Sequence, residues 1–145
     1  MKRSRSGKRS GFTIIEVIVI VVILGILAAV IGPRLLGRVG ESRKSVAKAN
    51  AASLFTAMQL YANDCGMPEP GAPITILVER PSNVDETLWK GPYVQNENDL
   101  RDPWGNYFML VVPGNVNADF DIVSYGKDGQ PGGNEENEDI VHGKR

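Results

Sequence analysis

Residues 11–33 read GFTIIEVIVIVVILGILAAVIGP, a run of mostly aliphatic side chains in which Glu16 carries the only charge. At a rise of about 1.5 Å per residue, a helix over residues 12–32 would be roughly 31 Å long, about the thickness of the hydrocarbon core of a bilayer. The stretch therefore predicts a membrane-spanning helix over residues 12–33, with membrane lipid around it.

The segment before this helix is strongly basic. Residues 1–10 carry no acid and five basic side chains: Lys2, Arg3, Arg5, Lys8 and Arg9. Because a positive flank stays in the cytoplasm, the sequence predicts a single-pass chain whose body lies on the periplasmic side. From Phe12 onward 11 bases face 17 acids, a net charge of −6, which argues against nucleic acid as a partner of the body.

A cleaved secretory signal and a plain uncleaved anchor are two simpler interpretations of this N-terminus. Neither explains Glu16, because an unpaired charge near the bilayer centre costs about 2.5 to 3.5 kcal/mol. No base lies three or four residues from Glu16 on the helix, so its partner is another chain or a newly made amine. Cutting after Gly11 would create such an amine at Phe12, one helical turn away.

Residues 11–16, GFTIIE, follow a short basic leader and open the apolar run, and in this they resemble the class III leader of type IV pilins and pseudopilins. The resemblance implies that prepilin peptidase cuts between Gly11 and Phe12 and methylates the Phe12 amine. It also implies that Glu16 pairs with the Phe12 amine of a neighbouring subunit, which makes charge pairing a rule of assembly.

The residues directly after the membrane stretch predict a second helical segment. From 34 to 64 apolar residues recur mostly every three or four positions, as in an amphipathic helix. The stripe expected to face a core comprises Leu54, Phe55, Met58 and Tyr61. The Pro- and Gly-rich residues 65–82 then predict an ordered loop, within which residues 74–78 fit either a short strand or a short helix.

The last third of the chain predicts a small antiparallel sheet. Residues 108–112 form an apolar run between two turn clusters, and residues 120–124 are expected to pair with them. Residues 125–145 are Gly-rich and acidic and predict a loop or tail. The single Cys65 excludes an intramolecular disulfide, so something else has to close this small domain.

Three blocks of the body resemble the major pseudopilin of type II secretion systems: DPWGN at 102–106, the Pro113-Gly114 turn and DIVSYGKDG at 121–129. The resemblance implies an α+β, pilin-like fold, in which a long N-terminal helix, membrane-spanning in its first half, packs on a small antiparallel sheet with a C-terminal calcium loop. The implied division is a cleaved leader peptide at 1–11, a transmembrane and assembly helix at 12–33, an amphipathic helix at 34–64 and a periplasmic pseudopilin domain at 65–145.

The same resemblance implies a structural subunit that is not an enzyme. Such a subunit leaves the inner membrane and polymerises with copies of itself into a periplasmic filament that drives protein export. The implied partners are prepilin peptidase, minor pseudopilins, and an inner-membrane assembly platform with its ATPase. Alternatives are a type IV pilin of a surface fibre and a membrane-anchored calcium-binding module that never polymerises. An enzyme built on Cys65 and His142 has little support, because the pair would join a turn residue to a tail residue.

Calcium binding is the prediction for the acidic C-terminal loop. Asp121 and Asp128 can supply carboxylate oxygens, although on the residues alone a solvated acidic loop explains them as well. The resemblance implies calcium ligation by the side chains of Asp121 and Asp128 and by backbone carbonyls of Ala118, Val123 and Ser124. The remaining acids of this region are expected to face solvent: Asp119, Asp139, Glu135, Glu136 and Glu138.

Overall fold

The computed structural model describes residues 11–143, and within them it leaves out the side chains of residues 33–38. The chain divides into two compact units, Met1–Arg38 and Val39–Arg145. The first unit carries the apolar stretch, and the second carries the sheet and the buried core.

Helix α1 runs from Ile14 to Cys65. The two helical segments predicted from the sequence thus belong to one helix. It ends where Gly66 adopts a positive φ of 86° and donates its amide to the carbonyl of Ala62 at 3.0 Å. Glycine is the residue that takes this left-handed conformation without a steric penalty, so the helix stops there.

The sheet has three short antiparallel strands in the order β1-β2-β3: β1 Met109–Val111, β2 Asp121–Ser124 and β3 Ile140–Val141. The register places Leu110 opposite Ile122, and Ser124 opposite Ile140. Strand β2 is therefore the central strand, and all four of its residues are buried. The connections contain three 3₁₀ helices, at Ile74–Leu77, Glu97–Leu100 and Glu135–Asn137.

The core of the second unit forms between one face of α1, the sheet and the loop after α1. Leu54, Met58 and Tyr61 are at most 3% exposed, which confirms most of the predicted helix stripe, while Phe55 is half-buried beside them. From the sheet side, Phe108 and Ile122 are fully buried against this face. Apolar burial of this kind is the main stabilising term for so small a domain.

The predicted α+β architecture is confirmed, with two changes of detail. Residues 74–77 form a 3₁₀ helix, which decides between the strand and helix interpretations of that segment. The prediction of a loop or tail for residues 125–145 was wrong at Ile140 and Val141, because these residues add a third strand to the sheet. Ile140 is 4% exposed, so burial of its side chain stabilises the pairing of β3 with β2.

Candidate functional site

The predicted cleavage point lies just outside α1. Gly11 and Phe12 are not helical, both are exposed, and the Phe12 side chain is 79% exposed. A peptidase needs an accessible backbone outside regular structure at the bond that it cuts, and the Gly11–Phe12 bond meets both conditions. The basic side chains predicted to keep the leader in the cytoplasm lie outside the described residues.

Thr13 caps the N-terminus of α1. The Glu16 amide donates to the Thr13 hydroxyl oxygen at 3.3 Å, and the Val17 amide donates to the Thr13 carbonyl at 3.2 Å. Thr-x-x-Glu is the spacing of a capping box, in which a threonine satisfies an amide left free at the helix start. Sequence reasoning missed this cap, although the spacing carries the signal. The cap fixes where the helix begins, and thus how far Glu16 lies from residue 12.

The apolar part of α1 is uncovered. Ile14–Gly32 is long and apolar enough to cross a membrane, with a mean hydropathy of 3.3 and no part of it buried. Among the described residues, no basic side chain forms an ion pair with the Glu16 carboxylate. The apolar surface, and within the described residues also the Glu16 carboxylate, is therefore available for contacts with lipid or another chain.

The DPWGN block forms a buried polar network with strand β2. The Asp102 carboxylate accepts hydrogen bonds from the Ser124 hydroxyl at 2.6 Å and from the amides of Trp104 and Asn106 at 3.0 and 2.9 Å. The Asn106 side chain in turn donates to the Gly126 carbonyl at 2.8 Å. Because every one of these contacts is internal, the block serves to hold the turn after β2 in place.

Asp121 organises the loop between β1 and β2. It is 1% exposed, and its carboxylate accepts the backbone amides of Asn115, Val116 and Asn117 together with the Asn117 side-chain amide, at 2.5 to 2.8 Å. Burial by itself raises the pKa of the Asp121 carboxyl, but the four N–H donors outweigh it, so the pKa lies below its usual value. Asp121 is therefore an ionised internal cap for this loop.

The predicted calcium ligand Asp121 is already engaged by N–H donors of the chain, while calcium binding by the predicted set as a whole stays a prediction. A cation at Asp121 would meet four N–H groups aimed at the oxygens it has to bind. Val123 and Ser124, whose backbone carbonyls were the predicted ligands, belong to the central strand: Val123 lies opposite Met109 and Val141, and Ser124 lies opposite Ile140. Asp128 is exposed and accepts one bond, from the Gln130 amide at 3.2 Å, while Ala118 lies in the exposed loop before β2. Within the described part of the chain, no three His, Cys, Asp or Glu side chains group as a metal site.

Of the acids that were expected to face solvent, Asp119, Glu135 and Glu138 are exposed, and Glu136 and Asp139 are partly buried. Three of them also contact the rest of the body. Glu138 pairs with Lys44 of α1 at 2.9 Å, and Glu136 pairs with Lys127 at 3.2 Å. Asp139 accepts the Gly132 amide through both carboxylate oxygens at 2.9 Å. The sequence could not show these pairs, because Lys44 and Glu138 are 94 positions apart.

The end of the described chain is also fastened to α1. The His142 ring lies 4.5 Å from the Phe55 ring, centroid to centroid, and Phe120 lies 4.7 Å from the same ring. The Asn117 side chain donates to the His142 carbonyl at 2.8 Å, so the Asp121 loop and the end of β3 are joined. Cys65 and His142 take part in different contacts, since the Cys65 sulfur lies 3.7 Å from the Tyr93 hydroxyl.

The long N-terminal helix, the small antiparallel sheet and the uncovered apolar stretch together define a pilin-like subunit. In the solved structures, the major pseudopilin from the type 2 secretion system of enterohaemorrhagic Escherichia coli has a similar fold. The TM-score is 0.61 at 24% identity, over 74% of this chain and 87% of that chain. At this identity the likeness concerns the fold.

Sequence comparisons narrow the class to one family. Residues 6–32 match the prokaryotic N-terminal methylation motif, and residues 34–143 match type II secretion system protein G. The type II secretion system core protein G of Pseudomonas aeruginosa is 36% identical over 135 residues, which are 92% of this chain and 94% of the relative. The core protein G of Vibrio cholerae is 35% identical over 142 residues, or 97% and 94%. The chain belongs to the type II secretion system protein G family, which confirms the resemblance noted in its sequence.

Proposed function

We propose that this chain is a structural subunit of the type II secretion pseudopilus. It is inserted in the inner membrane, cut between Gly11 and Phe12 by prepilin peptidase, and methylated on the Phe12 amine. Copies of the mature chain then polymerise into a periplasmic filament that drives protein export. The chain carries out no catalysis in this cycle and supplies the mass and the contacts of the filament.

The observation that carries the proposal is the uncovered apolar helix with one carboxylate near its start. Lipid can cover the apolar side chains of Ile14–Gly32 before assembly, but it cannot pair the Glu16 charge. A methylated amine at Phe12 of a neighbouring copy supplies the missing positive charge. Because lipid tails are as apolar as leucine, leaving the bilayer gains little hydrophobic free energy. Packing, this charge pair and an external motor therefore have to drive assembly.

The partners follow from the same scheme. The membrane-embedded subunit needs a platform to receive it and an energy source, for which we propose an inner-membrane assembly platform and a cytoplasmic ATPase. Minor pseudopilins are proposed at the tip of the filament, where one end of each terminal subunit lacks a neighbour of its own kind. The net negative charge of the body argues against nucleic acid as a partner.

Calcium stays a prediction that can be tested separately. Asp128 is the predicted side-chain ligand whose carboxylate remains accessible. A ligand that binds only the folded chain stabilises it by about 2.7 kcal/mol at a hundredfold excess over Kd. We expect the thermal midpoint of the full chain in detergent to be higher with calcium than with a chelator. Equal midpoints would count against calcium as a structural ion here.

Glu16→Ala tests the assembly role. The variant leaves the neighbouring Phe12 amine without a partner inside the helix bundle. We expect the yield of filaments, counted by electron microscopy, to fall more than tenfold, since a buried unpaired charge costs at least about 2.5 kcal/mol. Glu79→Ala, which removes an exposed acid of the body, is the matched control and should assemble normally.

Processing has to be separated from assembly in the same experiment. The N-terminus of each variant is therefore determined by mass spectrometry, and only chains that begin at a methylated Phe12 are compared. If correctly processed Glu16→Ala chains formed filaments as readily as the wild type, the proposed pairing would be wrong.

A further inference from the structure

A cluster of charged side chains joins the last part of the chain to α1, and we name it the C-terminal latch. It consists of Arg43 and Lys44 on α1, Lys127 after β2, and Glu136 and Glu138 before β3. The nitrogen–oxygen distances are 2.9 Å for Lys44–Glu138, 3.2 Å for Lys127–Glu136 and 3.9 Å for Arg43–Glu136. The latch thus links α1 to two stretches near the C-terminus, at Lys127 and at residues 136–138, which are more than 80 positions away from α1's Lys44.

The backbone around the latch is tightly packed, which fixes where its acids lie. The Lys127 amide donates to the Glu136 carbonyl at 2.9 Å. Gly126 has a positive φ of 63°, and a Cβ added there would lie 2.6 Å from that same carbonyl oxygen, so only glycine permits this approach. On α1, a Cβ added at Gly40 would lie 3.1 Å from the Glu136 side chain. Glu136 therefore rests directly on the helix.

Lys44 is the central cation of the latch. Its side chain is 15% exposed, far less than is usual for a lysine on a helix surface, and it also lies 3.8 Å from Glu41. The hydrogen bond to Glu138 raises the pKa of Lys44, and the hydrogen bond from Lys127 lowers the pKa of Glu136. Both shifts mean that the folded arrangement favours the charged forms. One helical turn further on, Lys48 is exposed and forms no ion pair within the described residues.

We propose that the C-terminal latch is a conformational device that holds residues 127–141 closed against α1, so that the docking of β3 on the sheet depends on charge pairing with the helix. Strand β3 is only Ile140–Val141, and the contacts of Ile140 and His142 fasten the end of the segment. Residues 127–139 before it include no buried residue, so the latch is what holds them to the helix. The acids of the latch, Glu136 and Glu138, pair with cations of the protein itself. Closure of this segment is consequently sensitive to ionic strength and to charge reversal on α1.

Hydrogen–deuterium exchange of the full chain in detergent micelles tests this directly. Lys44→Glu should raise the exchange rate of peptides covering residues 127–141 about fivefold. This factor corresponds to the loss of one surface ion pair, converted at 1.36 kcal/mol per tenfold change in rate. The double variant Lys44→Glu with Glu138→Lys restores an opposite-charge pair and should bring the rate back to within about twofold of the wild type. Lys48→Glu makes the same charge change one turn away and should leave the rate unchanged.

Three further measurements keep the outcome decisive. Peptides from the buried part of α1 should exchange as in the wild type, which shows that the variants remain folded. If Lys44→Glu does not fold, raising salt on the wild type from 0.1 to 1 M should accelerate exchange of residues 127–141, because the Debye length falls from about 10 to 3 Å. All samples are run with calcium and with chelator, and the effect of Lys44→Glu should persist in both. No change on charge reversal, no rescue by the double variant, or an effect that vanishes in chelator would overturn the latch.

Discussion

Asp121→Ala tests most directly whether Asp121 holds the loop between β1 and β2 in place. It removes the acceptor of three backbone amides and one side-chain amide in a site where Asp121 is 1% exposed. A hydrogen bond to a charged group contributes about 1.5 to 3 kcal/mol, and such contributions are not additive within one network. We expect the free energy of unfolding to fall by about 4 kcal/mol, a large part of the 5 to 15 kcal/mol typical of a domain.

The assay is denaturant unfolding of the full chain in detergent micelles, followed by tryptophan fluorescence. Trp89 and Trp104 are the only tryptophans, and both belong to the unit Val39–Arg145, so the signal reports on the body rather than on the apolar helix. Asp121→Asn keeps the shape of the side chain but only one acceptor oxygen, and it should lose about half as much as Asp121→Ala.

Asp119→Asn is the matched control, because Asp119 is an exposed acid two residues before Asp121. It should stay within about 0.5 kcal/mol of the wild type. The reasoning would be refuted if Asp121→Ala were equally mild. It would also be refuted if calcium stabilised the wild type and Asp121→Asn abolished that gain, since Asp121 would then be a ligand.

Three further outcomes follow from the contacts described above. The pKa of Asp121 in the folded chain lies below the unfolded value of about 3.9, so its contribution is complete above that pH and is lost as the pH falls through the folded pKa. The difference in unfolding free energy between wild type and Asp121→Asn should therefore shrink in acid, and a constant difference would contradict the ionised cap. Gly114→Ala places a Cβ 2.2 Å from the Asn117 carbonyl oxygen and should lose at least about 2 kcal/mol in the same unfolding assay, whereas full stability would contradict this close approach. Phe108→Ala empties a fully buried position and should cost about 3 to 5 kcal/mol; a loss below about 1 kcal/mol would show that Phe108 is not part of the core.

Local patterns predicted the helix and two of the strands correctly. For α1, the long uninterrupted apolar run predicts the first part, and apolar residues that recur every three or four positions predict residues 34–64. The turn clusters bracket β1 and β2. The third strand gave no such pattern, since Ile140–Val141 has only two residues and its burial depends on β2 lying beside it.

The charged residues show where sequence reasoning stops. From the sequence alone, a carboxylate in an acidic loop could contact a cation, water or amide donors. The fold decides which of these partners lies next to it. At Asp121 the chain places three consecutive backbone amides around the carboxylate, an arrangement that depends on the close turn at Gly114. At Glu138 the partner is Lys44, 94 positions earlier. Neither contact follows from spacing within the segment itself.

The N-terminus of the mature chain tests the central claim most directly, because pairing of Glu16 with a neighbour requires a free amine at Phe12. Intact-mass and fragment spectra of the protein purified from membranes should show a chain that begins at Phe12 and carries one methyl group on its amine. A chain that begins at Met1, or beyond Ala29, would contradict the account, because no copy could then offer Glu16 its partner.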